Sequence, residues 1–465
     1  MAIRRILIDC TPISMTTPMT GIPRVVFNYI KWGYQFGFAD KIAVVPVHVS
    51  SNGIFDARVI LPDWMAEAPG SSQLGAGVRP REGERSSMLA AQKRRALEAL
   101  VTSIGRPLSQ TVEPPLSRFG LAGGIERTKL LYRRWQRLSN ERLVNRYSLE
   151  ICPGDLLFMP AYWHDQHPDI YRRAQMKGAL IVPLVHDILP ITRPNDYHSP
   201  WRDEFRAYVR EILSFSNHVV CVSEATLKDV DTFMRSEGLS MPASSVRRHG
   251  VDRLQPAVQT TVALGVNQRL SAAMAAPNCN VLVVGSIEPK KNYMLLLGAC
   301  ERLWRSGHPF NLIVIGRKAW LSDTITDAFR RHPRLGRRLF WFDRATDADL
   351  DHAYRNCQLV LTPSKAEGFG LPLLEALAHR LPVLASDIPP FKEVGGTSID
   401  YFDPGSVDSL ENALGALLTN TLRMADLAGR ASRFTWPTWE EAVFQSMNLL
   451  VSVGQKPPVI NVTQN

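Results

Sequence analysis

Cysteine is scarce in this chain of 465 residues, and what there is does not pair. Six cysteines (Cys10, Cys152, Cys221, Cys279, Cys300 and Cys357) are scattered, mostly inside apolar runs, with no CxxC spacing. That pattern excludes a disulfide-stapled scaffold and reads as buried free thiols in a reducing cytosol. Long apolar runs are missing too: none approaches the roughly 18 residues that a membrane span needs. The apolar part of the opening MAIRRILIDC is too short for a secretory leader and reads as a first strand. Acidic residues are the minority, 44 against 54 Lys and Arg, and the formal charge of +10 calls for something anionic. Nucleic acid, an anionic membrane surface and phosphorylated substrates all qualify. No recognised nucleic-acid module accompanies the charge, so nucleic acid is set aside as a partner.

What is present is ordinary for a globular protein, 45% hydrophobic and 21% charged, at a length that suits two domains. Apolar runs at 6–9, 41–49, 155–159, 179–185 and 218–222 read as strands. Helical spacing lies at 25–34, 169–176 and 201–214. Between them, 69–85 is a Gly, Ser, Arg and Pro loop, and 87–103 and 125–148 are helical. The latter interleaves Arg127, Lys129, Arg133, Arg134, Arg137, Arg142 and Arg146 with Leu130, Leu131, Trp135, Leu138 and Leu143. Such a basic amphipathic helix can lie on an anionic membrane interface; the alternative is a solvated helix packed by its apolar stripe. Residues 1–252 form the first domain on this reading, and the poorly periodic 253–278 is the linker.

The second half repeats the plan more cleanly. Strands at 280–284, 311–315, 338–342, 358–361 and 382–385 alternate with helices starting near Tyr293, Ser322, Asp347, Leu371 and Val407. This alternation predicts an α/β fold with two parallel sheets, helices on both faces, and ligands beyond the carboxyl ends of the strands. The second domain is placed at 279–436. A long apolar helix follows at 437–453, and a tail from Gly454 is expected to be disordered.

The chain is organised around residues 362–390, TPSKAEGFGLPLLEALAHRLPVLASDIPP. A short apolar strand ends in Thr-Pro-Ser, a glycine-rich loop follows, and a helix begins with Pro372 in its first turn. Unpaired N–H groups and the helix dipole make such a start an anion site. Two acids flank it, Glu367 in the loop and Glu375 about one turn into the helix. Acids beside a phosphate make sense if they bind hydroxyl groups, a sugar hydroxyl for Glu367 and ribose hydroxyls for Glu375. Upstream, VVGSIEPKKN at 283–292 ends a strand and puts lysine at a helix start, where it can neutralise a diphosphate as a point charge. LVHDILP at 184–190 places His186 and Asp187 at another strand end. Taken alone, His186 could be general acid or base, metal ligand or satisfied core residue; with no second His or Cys at metal spacing, no metal site is expected. Gly21, in the turn before the helix at 25–34, lets backbone approach a ligand closely. Arg317, Lys318 and the Ser223-Glu224 turn are weaker signals near the same strand ends.

Glu, seven residues and Glu, with GFGLP between, resembles the donor-site motif of the retaining glycosyltransferases of family 4, which have the two-domain GT-B architecture. The stretch 283–292 resembles the same family's phosphate signature, and HD at 186–187 its histidine segment. The resemblance runs in patches from Asp9 to about Trp436 and skips 52–149. It implies a metal-independent enzyme without cofactor that takes a sugar from a nucleotide-diphospho-sugar. By that match Lys291 and Lys290 hold the phosphates, with the backbone at Gly368, Phe369, Gly370 and Leu371 and with Gly21. Lys291, Glu367 and His186 carry the catalysis, His186 by orienting the sugar and stabilising developing charge, while Asp187 is structural. Many relatives carry an arginine directly after the glycine where this chain has Ser286. The last helix is implied to pack back on the first domain. GDP-mannose is favoured over UDP-sugars as donor, because EPKKN and HDILP look most like bacterial polysaccharide mannosyltransferases. The implied acceptor is a saccharide or lipid-linked saccharide in cell-surface polysaccharide synthesis, handled in the cytoplasm, with the basic helix on the inner membrane face. The alternatives are a nucleotide-sugar epimerase and a non-catalytic binding or assembly protein on the same scaffold.

Overall fold

Residues 2–11, 21–51, 53–57, 148–161, 167–252, 266–275 and 278–455 are described by the computed structural model. The loop at 69–85, the helix at 87–103, all of the basic stretch but Ser148, most of the linker, and 456–465 lie outside them.

The first half runs Arg5–Asp9 (β1), Ile22–Asp40 (α1), Ala43–Ser50 (β2), Gly53–Asp56 (β3), Asp155–Met159 (β4) and Pro168–Met176 (α2). It continues through Leu180–Val185 (β5), Leu189–Thr192 (α3), Ser199–Phe215 (α4), Val219–Cys221 (β6), Glu224–Ser236 (α5) and Ser244–Val246 (β7). These make a seven-stranded sheet in the order β3-β2-β1-β4-β5-β6-β7. It is parallel except where β3 returns antiparallel along β2. Ile6, Leu7 and Ile8 are fully buried, as a central parallel strand covered on both faces requires.

Gln268–Met274 (α6) leads into the second half. Cys279–Val284 (β8), Tyr293–Arg305 (α7), Phe310–Ile315 (β9), Asp323–Arg330 (α8), Leu339–Phe342 (β10) and Asp347–Asn356 (α9) come first. Leu359–Thr362 (β11), Leu371–Ala378 (α10), Val383–Ser386 (β12), Pro389–Gly395 (α11), Asp400–Phe402 (β13), Val407–Thr419 (α12) and Thr421–Ser432 (α13) complete it. Their six strands form an all-parallel sheet ordered β10-β9-β8-β11-β12-β13. The strand order reverses between β8 and β11, so the loops after these two strands open a crevice between them.

Trp439–Gln455 (α14) leaves the second half and lies against α1 of the first. Trp439, Val443, Met447 and Leu450 are buried there, the Tyr29 hydroxyl donates to Ser446 Oγ at 3.0 Å, and Phe36 meets Phe444 edge-on at 5.6 Å. This helix runs through Gln455, two residues beyond its predicted end, so Gly454 is helical and buried rather than tail. Within the predicted linker, Asn267 caps α6 by accepting from the Arg269 and Leu270 amides. The strands β3, β7 and β13 escape the sequence reading because Gly53, Ser244-Ser245 and Asp400 interrupt the apolar run that marks equally short strands such as β6, β11 and β12.

Candidate active site

Two loops at the carboxyl ends of β8 and β11 build one wall. After β8 the chain makes a turn of 3₁₀ helix at Pro289–Lys291, then Asn292 takes a left-handed conformation, φ 60°, to start α7. Asparagine is among the few residues that tolerate this, and its side chain donates to the Pro404 carbonyl at 2.9 Å. The Lys365 amide donates to the Lys290 carbonyl at 2.7 Å, tying the two loops together. Across that tie the Lys291 ammonium donates to Glu367 Oε1 at 2.5 Å, and Ser364 Oγ donates to the same oxygen at 2.7 Å. Lys290 Nζ stands 4.0 Å from Glu367 Oε2. Burial pushes the Glu367 carboxyl up, but the two lysines and the hydrogen bonds from Lys291 and Ser364 more than offset it, and the group lies below its ordinary range. Burial lowers Lys290, and Glu367, Asp187, Tyr197 and Glu288 together reverse this, so its pKa is raised. At neutral pH Glu367 is therefore held as the carboxylate and Lys290 as the ammonium.

Gly370 heads α10 at φ 109°, and a Cβ there would meet Phe391 at 2.7 Å, so glycine is required on both counts. The first-turn N–H groups of such a helix have no partner within it.

The opposite wall comes from the first sheet. Gly21 heads α1, and His186 follows β5. The His186 Nε2 lies 2.7 Å from the Pro160 carbonyl, which can only accept, so this nitrogen carries the hydrogen and Nδ1 keeps a lone pair. Burial lowers the His186 pKa against the contrary pull of Pro160 and Asp187, leaving the ring neutral. His249, buried beside it with ring centroids 5.3 Å apart, is lowered further by burial and by His186. Gly368 crosses the gap: a Cβ on it would fall 1.8 Å from the His186 carbonyl oxygen. Its own carbonyl accepts from Ser223 Oγ at 2.7 Å and Thr226 Oγ1 at 3.2 Å. Ser223, a weak signal in the sequence, is thus both the cap of α5 and a contact between the halves.

Glu375 is not alone. Arg24 of α1 donates to its Oε1 at 2.8 Å and the Tyr354 hydroxyl to its Oε2 at 3.1 Å. Burial raises its pKa against the pull of Arg24 and Tyr354. Sequence reasoning passed over Arg24 and Tyr354 because nothing local marks them. Of the weaker signals, Arg317 lines the crevice, whereas Lys318 pairs with Asp323.

Gly21, His186, Lys290, Lys291, Glu367, Gly368, Phe369, Gly370, Leu371 and Glu375 all line one cavity of about 450 Å³. That volume suits a small-molecule ligand. The cavity sits between two parallel-sheet units whose strand ends face each other, with cations and a helix start on one side. Fold and site together define the GT-B class of two-domain proteins.

Comparison with known proteins agrees. Residues 277–433 match the family described as Glycosyl transferases group 1. The O-antigen chain mannosyltransferase B of Escherichia coli is 30% identical over 288 residues, 60% of this chain and 72% of its own length. The serotype-specific mannosyltransferase WbdA of Escherichia coli is 32% identical over 270 residues, 57% of this chain, which spans only 33% of that longer protein. HepE of Anabaena, solved with UDP and glucose, superposes with a TM-score of 0.54 at 16% identity over 97% of this chain and 99% of its own. At that identity the likeness bears on the fold alone. The chain belongs to the group 1 glycosyltransferases.

Proposed function

We propose that this protein is a retaining, metal-independent mannosyltransferase of cell-surface polysaccharide synthesis, working in the cytoplasm with GDP-mannose as donor. The observation that carries the reading is the hydrogen-bonded Lys291–Glu367 pair beside the α10 helix start, facing His186 across one cavity. The mannosyltransferase names of its relatives support the sugar. In this reading Lys291, Lys290 and the N–H groups at 369–371, with Gly21, receive the diphosphate. Charge develops there as the bond from the sugar's C1 to the phosphate oxygen breaks, and fixed donors aimed at developing charge are commonly the largest catalytic term. The acceptor hydroxyl attacks C1 from the same face and passes its proton to the departing phosphate. Glu367 accepts a sugar hydroxyl. Neutral His186, its Nε2–H committed to Pro160, accepts another through Nδ1 and turns that lone pair toward the electron-poor sugar ring. Glu375 takes ribose hydroxyls in exchange for Arg24, whose guanidinium then serves the diphosphate where Ser286 cannot.

The test is binding and hydrolysis of GDP-mannose, UDP-glucose, UDP-galactose and UDP-N-acetylglucosamine by the wild type and Glu375→Ala. GDP-mannose should bind and turn over, and the variant should lose most of its affinity. Binding of no donor by either protein would overturn the reading. The acceptor is proposed to be a saccharide on a lipid carrier, met at an anionic membrane through the basic stretch 125–148. Replacing the arginines of that stretch with glutamine should release the protein from the membrane fraction; unchanged recovery there would sink the membrane contact.

A further inference from the structure

A second cavity, of about 460 Å³, opens beside the donor cavity, and the two share Ile22, His186, Asp187 and Lys290. Its walls differ in kind. Tyr197 stacks on Trp201 with centroids 5.4 Å apart and an interplanar angle of 21°, and on Trp320 at 5.6 Å and 26°. Trp201 in turn stacks on Phe205 at 5.5 Å and 23°. Three of these rings come from the first half, on and just before α4. Trp320 comes from the second half, between β9 and α8, and its indole N–H donates to the Asp196 carbonyl at 3.1 Å. It is 39% exposed although it belongs to the most hydrophobic residue types. The next residue, Leu321, sits at φ 48°, a conformation that a branched side chain takes only against a steric cost.

We propose that this aromatic groove seats a terminal sugar ring of the acceptor saccharide, so that the acceptor site is built by both halves of the molecule. The proposal rests on the glycosyltransferase reading and deepens it. The faces of aromatic rings carry negative potential, and the C–H bonds on one face of a pyranose are polarised positive by the oxygens around them. Flat, parallel ring planes therefore suit a sugar face. An alkyl chain would be served equally by aliphatic side chains and needs no polar end. This groove has one: His186, Asp187 and Lys290 stand where it meets the donor cavity. A ring stacked among the aromatics would send its hydroxyl past these groups toward the donor sugar. Trp320 then acts as the jaw supplied by the second half, in place only when the two halves are together.

The test uses the full chain, titrated by calorimetry with a methyl mannotrioside in the presence of GDP and separately with GDP-mannose. The wild type should bind both. Trp320→Ala and Trp201→Leu should each weaken the trisaccharide about ten-fold, the size expected for loss of one ring contact, and leave the GDP-mannose affinity within about two-fold. Trp201→Phe should restore most of the loss. Trisaccharide affinity unchanged in both variants would overturn the proposal, as would a wild type that binds no trisaccharide. So would equal weakening of trisaccharide and GDP-mannose in Trp320→Ala, which would mark the ring as a clasp between the halves. Displacement of the trisaccharide by octanol would assign the groove to a lipid chain and overturn it too. Failure of every donor to bind would strike the proposed function instead, and the trisaccharide titration would still decide the groove.

Discussion

Lys291 has two neighbours to serve, a buried carboxylate 2.5 Å away and, in the proposed reaction, the diphosphate. Replacing Lys291 by alanine should lower the transfer rate about 10²–10³-fold, the size of effect seen when one preorganised donor to a developing charge is removed. Glu367 would lose its closest cation and its carboxyl would titrate higher; a rate within three-fold of wild type would show that Lys290 alone suffices. Away from the cavity, His48 is buried on β2 and its pKa falls from 6.5 to about 4 by burial. The unfolded chain then takes up a proton below pH 6.5 that the folded one refuses. Stability from this group is thus intact above 6.5 and lost as the pH falls toward 4, up to roughly 3 kcal/mol. Urea unfolding at pH 7 and pH 4 should show a loss smaller by about that amount in His48→Gln. Equal losses in the two proteins would assign acid lability elsewhere, for instance to His186 and His249, whose shifts have the same sign.

The loop from β11 to α10 acts as a unit, and Gly368 is its narrowest point. A methyl group 1.8 Å from the His186 carbonyl cannot be accommodated, so Gly368→Ala must push the two halves apart. Expected is a fall in transfer of at least about 10²-fold, since a displacement near 1 Å already costs that much. Thermal stability should change little, because each half keeps its own sheet; an active, closed Gly368→Ala protein would refute the role. Elements of this kind were the legible part of the sequence. β8 from Val281 onward, β11 and β12 are unbroken apolar runs that end at Gly, Thr-Pro-Ser and Ser-Asp, so strand, loop and helix could be placed within a residue or two. The glycines, lysines and acids of the loops could be placed with them. Arg24 could not, because its partner Glu375 lies 351 residues away and only the fold joins them. The aromatic groove was hidden for the same reason: Trp320 and Tyr197 belong to different halves and carry no shared spacing. Asn292 and Gly370 were placed in their loops by the sequence, but their left-handed turns and the contacts that require them, with Pro404 and Phe391, were not.

At the scale of the whole molecule, the halves are joined by chain twice, through the segment around α6 and where α14 returns to α1, so opening is confined to a hinge. Closure is held by a few polar contacts across the crevice, Arg24 to Glu375 and Ser223 to Gly368 among them. Glu393 adds a third. From α11 of the second half, its carboxylate accepts the Glu224 and Ala225 amides of α5 in the first half, each at 2.8 Å. It therefore completes a helix cap begun by Ser223, and such caps are worth about 1 kcal/mol. That energy is available only in the closed state. Removing it should shift the donor-free protein toward open forms and weaken donor affinity by up to about five-fold, since affinity scales with the closed fraction. Neither Glu393 nor the two residues whose amides it accepts lines the cavity around Lys291 and Glu367, so the effect of Glu393→Ala is expected to come through closure. The chemical step, measured at saturating donor, should stay within about two-fold, while small-angle scattering without donor should report a larger radius of gyration than wild type. Saturating donor should remove that difference. A variant with wild-type affinity and radius would mean that the apolar cluster joining Val25, Phe369 and Trp439 holds the halves together without help from the polar clasp.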